Sequence, residues 1–124
     1  MIAADTSTWI AYLEGDRGRD VRALDTALAD RQVVMVPPVL TELLSDPKLP
    51  QPVAKSLLDI PLLEIEAGYW QRAGVLRARV LAKRRRARRG DALIAQSCVD
   101  AGVSFLTRDR DFSAFAQVAG LGLK

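Results

Sequence analysis

The stretch I-A-A-D-T-S-T-W-I-A-Y-L-E, residues 2–14, decides the fold. Ile2 to Ala4 read as a brief strand ending at Asp5. Thr6-Ser7-Thr8 then supply the hydroxyl side chains that open helices, and Trp9, Ile10 and Leu13 follow on one helical face. The same succession recurs further along the chain. Gln32 to Val36 (QVVMV) is a β-branched strand that stops at Pro37-Pro38 and leads into a helix over Val39–Ser45, closed by Pro47. Val103 to Thr107 is a strand, followed by R-D-R-D and a short helix over Phe112–Val118. Helical spacing also marks Asp20–Asp30, Pro52–Ile60, Gly68 to about Lys83 (Trp70, Ala73, Leu76 and Val80 inward) and Asp91–Ala101 (Leu93, Ile94, Ser97 and Cys98 buried, Gly102 at its end). Leu62–Ile65 and Gly120–Leu123 read as a weaker strand and a last edge strand. Strands separated by helices predict an α/β fold with a mostly parallel sheet covered on both faces.

A chain of 124 residues, 49% of them hydrophobic, suits a single domain over 1–124 that needs no disulfide or metal to stay folded. It contains one cysteine, Cys98, and no histidine. Those counts exclude a structural zinc site, a Ser-His-Asp triad, a Cys-His dyad and a histidine general base. Cys98, on an apolar helix face, is expected to be an inert core residue. The first ten residues lack the basic segment of a signal peptide. The longest apolar run, Val33 to Leu40, falls well short of the roughly 20 residues that span a bilayer. A cytoplasmic protein without membrane contact is the expectation.

Ligands of open parallel sheets gather beyond the carboxyl ends of the strands. Asp5, Glu42 and Asp109 are placed there, and Asp91 opens a helix. Asp111 lies two residues beyond Asp109, and its side chain points the same way if T-R-D-R-D is extended. Taken singly, Asp5 and Asp91 could be helix caps, Glu42 a solvated residue, and Asp109 and Asp111 members of a surface turn. Together they put like charges within a few ångströms, which is costly unless protons or a cation offset it. Mg²⁺ or Mn²⁺, which favour oxygen ligands, are the natural counter-charge. Two such ions about 3.5–4 Å apart suit attack of water on a phosphodiester. With no histidine, the metal itself must lower the pKa of that water.

The charge is segregated. Between Gly68 and Gly90 stand nine cations and no acid; the other nine cations against all fifteen acids leave the remainder at −6. Within that stripe Arg84, Arg85, Arg86, Arg88 and Arg89 could bind a phosphate backbone, or form a solvated edge.

D-T-S (residues 5–7), P-x-x-x-E-L (38–43), G-D-A-L-I-A (90–95) and L-T-R-D-R-D-F (106–112) occur in the order and spacing of a PIN domain, and the whole chain resembles a VapC-type toxin of a VapBC toxin–antitoxin pair. The resemblance implies a PIN-like three-layer fold with a five-stranded sheet in the order 3-2-1-4-5. It also implies a Mg²⁺- or Mn²⁺-dependent endoribonuclease, inhibition by a cognate VapB-like antitoxin, a homodimer, and promoter DNA bound only through the antitoxin complex. Carried over, Asp5, Glu42, Asp91 and Asp109 match the family's catalytic, metal-binding acids, and Asp111 an often acidic position. Ser7 and Thr107 match polar positions that hold a ligand water or phosphate.

Phosphotransfer receivers and haloacid-dehalogenase-like phosphatases also place aspartates at strand ends. The first need paired acids after strand one, where Asp5 is alone, and the second need an aspartate at position 7, which is serine. The stronger alternative is a non-catalytic module that binds nucleic acid or antitoxin through the basic 72–89 stripe.

Overall fold

The computed structural model describes residues 1–124. Two strands and seven helices follow in the order β1 (Ile2–Ala4), α1 (Thr6–Leu13), α2 (Arg19–Ala29), α3 (Pro37–Leu44), α4 (Gln51–Leu58), α5 (Tyr69–Ala82), α6 (Arg89–Ala101), β2 (Ser104–Leu106) and α7 (Phe112–Ala119). The α/β class is therefore as the sequence predicts. β1 and β2 pair in parallel with Ala3 opposite Phe105, so the two ends of the chain meet at the centre of the molecule. No helix is long and apolar enough to cross a membrane.

The other three expected strands are not strands. Single parallel bridges stand in their place, Ile2 to Val33, Met35 to Leu62 and Phe105 to Leu123. A strand needs consecutive ladder bonds, and local chemistry limits them here. Pro61 can only accept, taking the Met35 N–H at 2.7 Å, while the Leu63 N–H reaches the Met35 carbonyl at 2.9 Å. Gly120 caps α7 in the left-handed region, and the Leu123 N–H turns back to the Leu121 carbonyl, which bends that segment.

Residues 33–36 are nonetheless all buried, in a core that joins Trp9, Leu24, Val39, Leu76, Val80, Ile94, Phe105, Phe112 and Phe115. On α5 the buried stripe is Tyr69, Ala73, Leu76 and Val80, at the spacing of one helical face. Trp70 lies one position off that stripe and is 65% exposed, against the inward placement expected for it. Ile10 and Leu13 of α1 likewise stay exposed where Trp9 is buried. Cys98 is buried as expected, and burial pushes its thiol up to about 12, outside the reactive range.

Candidate metal centre

Asp5 occupies the cap position of α1, but its side chain makes no cap hydrogen bond. Its Oδ2 instead accepts from Ser7 Oγ at 2.8 Å and from Thr107 Oγ1 at 3.0 Å. The Asp5 N–H donates to the Leu106 carbonyl at 2.8 Å, which fixes this buried acid to the end of β2. Asp91 is not a cap either. Arg88 holds that position, and Asp91 stands in the first turn of α6. The capping explanation thus fails for both.

Asp109 and Asp111 lie on a turn rather than on extended chain. The Asp109 N–H donates to Thr107 Oγ1 at 2.9 Å and the Asp111 N–H to Asp109 Oδ1 at 2.9 Å. Such bonds from a side chain to the backbone two residues on compete with extended structure. The fold still brings the carboxylates together. Asp91, Asp109 and Asp111, all partly buried, each offer an oxygen within 4.8 Å of the others. Neither Asp5 nor Glu42 is brought into this group: Asp5 is buried beside it, near enough for its charge to act on Asp91, whereas Glu42 is exposed on α3.

The electrostatics follow from the geometry. Burial, then the charges of Asp109 and Asp5, push the Asp91 carboxyl up from its ordinary 3.8 to about 6; Asp111 adds to the rise and Arg88 opposes it. Asp91 Oδ2 is buried and has no hydrogen-bond partner. An orphaned acceptor of this kind costs on the order of 1–3 kcal/mol, more when charged. A cation bound by this all-oxygen set would offset both the orphan and the repulsion. The donor chemistry fits a hard divalent ion such as Mg²⁺ or Mn²⁺.

The arginine run borders this site. It leaves α5 through Arg84, held at φ 58. It is pinned midway by Ala87, which is buried and whose carbonyl accepts from Arg77 Nε at 2.8 Å. Arg85 Nη2 donates to Ser113 Oγ at 3.2 Å, and Arg86 Nη1 lies 4.0 Å from Asp111 Oδ2. Arg84, Arg85, Arg86, Arg88 and Arg89 are all exposed. The sequence leaves these arginines open between a phosphate-binding surface and a solvated edge and does not show that Arg86 and Arg88 also temper the carboxylates. Their placement just before Asp91 was the available signal.

Comparison with known proteins agrees with the fold. No curated protein matches the chain in sequence. Among solved structures, VapBC2 from Rickettsia felis bound to a DNA fragment from their promoter is similar at 20% identity and a TM-score of 0.74, covering 100% of this chain and 98% of that one. VapBC-5 from Mycobacterium tuberculosis is 20% identical with a TM-score of 0.69, covering 98% and 94%. FitAcB from Neisseria gonorrhoeae is 17% identical with a TM-score of 0.70, covering 99% and 96%. At such identities the likeness is one of fold. Residues 2–118 match the PIN domain, and the chain therefore belongs to the PIN domain family.

Proposed function

We propose that this chain, as one domain over residues 1–124, is a metal-dependent endoribonuclease that hydrolyses RNA phosphodiester bonds and acts as the toxin of a toxin–antitoxin pair. The observation that carries the reading is the unpartnered, half-buried Asp91 carboxylate among Asp109, Asp111 and Asp5. Asp91, Asp109 and Asp111 would hold Mg²⁺ or Mn²⁺, with Asp5 completing the charge and Glu42 reached through water or substrate. Bound there, the ion supplies Lewis acidity and a water of lowered pKa. Ser7 and Thr107 orient Asp5, and Arg84, Arg85, Arg86, Arg88 and Arg89 guide the RNA backbone along the rim.

The three single-residue bridges are read as the reduced remnant of a five-stranded sheet in the order 3-2-1-4-5. The VapBC structures that share this fold support a VapB-like antitoxin as partner, with promoter DNA bound through that complex. An apolar groove of about 380 Å³ between α1, α2 and α4, lined by Tyr12, Leu13, Leu28, Val53 and Leu57 among others, is suited to a protein segment. Exposed Trp70, Val75 and Leu81 on α5 support a second copy of the chain as a further partner. A cytoplasmic location accords with these partners.

The deciding experiment is cleavage of a labelled RNA with Mg²⁺ or Mn²⁺. EDTA and Asp91→Asn are each expected to abolish cleavage, by at least about a hundredfold for the variant. Cleavage that survives both would overturn the assignment, and RNA binding without any cleavage would favour the non-catalytic module.

A further inference from the structure

Arg108 stands in sequence between Thr107 and Asp109, in the middle of the acid site, yet its guanidinium is committed elsewhere. Nε donates to Asp20 Oδ2 at 2.7 Å and Nη2 to Asp20 Oδ1 at 3.1 Å, a two-pronged ion pair; Nη2 also reaches the Arg17 carbonyl at 2.7 Å. Asp20 is anchored in turn by α1, where Thr8 Oγ1 donates to its Oδ2 at 2.9 Å. The Arg108 N–H donates to Ser7 Oγ at 3.2 Å, and Ser7 binds Asp5. These bonds link Asp5, Ser7, Arg108, Asp20 and Thr8. Gly18 makes the closure possible. At φ 153 it presents no side chain, and a Cβ there would lie 2.6 Å from Asp20 Oδ1 and 2.7 Å from Arg108 Nη2.

We infer that Asp20, with Gly18, is a positioning device: it parks Arg108 away from the metal-binding carboxylates and fixes the turn Thr107–Asp111. Arginine keeps its charge at any working pH. Released beside Asp109, it is a flexible cation within reach of acids that a divalent ion must share. Asp20 occupies both prongs of that cation and removes it from the competition. Residues that orient metal ligands without touching the metal are commonly worth 10–100-fold in affinity. The inference rests on the metal reading of the site, and the test separates the two.

Mn²⁺ binding by calorimetry, and hydrogen exchange of the Asp109 and Asp111 amides, are to be measured on the full chain and its variants. Asp20→Asn is nearly isosteric; it should weaken Mn²⁺ binding about 10- to 100-fold and speed exchange at both amides. Gly18→Ala, which removes no charge, should act in the same direction. The double variant Asp20→Asn with Arg108→Gln should regain most of the Mn²⁺ affinity, because the competing cation is gone. Unchanged affinity and exchange in Asp20→Asn would overturn the inference, as would a double variant no better than the single one. If the parent chain binds no Mn²⁺, the metal reading falls, and the exchange rates alone decide whether Asp20 positions the turn.

Discussion

Asp5 and Asp109 are held by short hydrogen bonds from Ser7, Thr107 and the backbone, and Asp91 is packed on the first turn of a helix. A few residues away, Arg84, Arg88 and Arg89 extend into solvent, and the whole run is tied down by little more than Ala87, Ser113 and a 4.0 Å approach to Asp111. The acids are spaced before any ligand arrives, whereas the arginines keep the freedom to follow one. A metal site gains from fixed spacing; a surface for a flexible polyanion gains from long cations that adapt.

The largest expected effect falls on the rigid side. Asp91→Asn should remove cleavage while raising the melting temperature of the metal-free protein by on the order of a few degrees at neutral pH, because a buried charge among like charges is gone. A variant that loses both activity and stability would show the cluster to be structural. The pH response has the same origin. The folded Asp91 keeps its proton up to about 6, whereas the unfolded chain releases it near 3.8. The stability this proton contributes is complete below 3.8 and is lost as pH rises through about 6. Thermal melts in EDTA between pH 4 and pH 8 should show a decline that Asp91→Asn flattens and that Mn²⁺ opposes.

On the adaptable side, replacing Arg84, Arg85, Arg86, Arg88 and Arg89 with alanine should weaken RNA binding about tenfold or more at low salt. It should reduce the slope of log affinity against log salt by about 0.7 for each lost contact to a single strand. Mn²⁺ affinity should change far less. An unaltered salt slope would return the run to a plain solvated edge. The smallest effect is expected from Glu42→Gln. An exposed charge outside the three-carboxylate group acts through a high dielectric, so Mn²⁺ affinity should move by less than about threefold; a larger loss would place Glu42 among the direct ligands.

Periodicity made the helices legible, because a buried stripe, such as Ala73, Leu76 and Val80 on α5, leaves its spacing in the sequence. Trp70 escaped because its three-residue spacing from Ala73 also fits a helical stripe, whereas Tyr69, one position earlier, is closer in phase to Ala73, Leu76 and Val80 and takes the buried place. The strands were half legible. Ile2–Ala4 and Ser104–Leu106 pair fully, but the β-branched run at 32–36 reports burial and not a continued hydrogen-bond ladder. At the site, the acids themselves were visible, and the coming together of Asp91, Asp109 and Asp111 follows from the fold class. The turn that joins the last two was not visible, since it depends on Thr107 and Asp109 side chains accepting nearby amides. The Asp20–Arg108 pair was not visible at all: 88 residues separate its partners.

The bond between Thr107 and Asp5 spans 102 residues, and β1 finds its only full strand partner in β2. Contacts of such separation pay the largest loop-closure cost and form late. A growing chain on the ribosome therefore carries Asp5 long before Asp109 and Asp111 exist to meet it. The acid cluster is a property of the finished chain, and an interrupted synthesis or a proteolytic cut ahead of residue 104 releases a fragment that cannot assemble it.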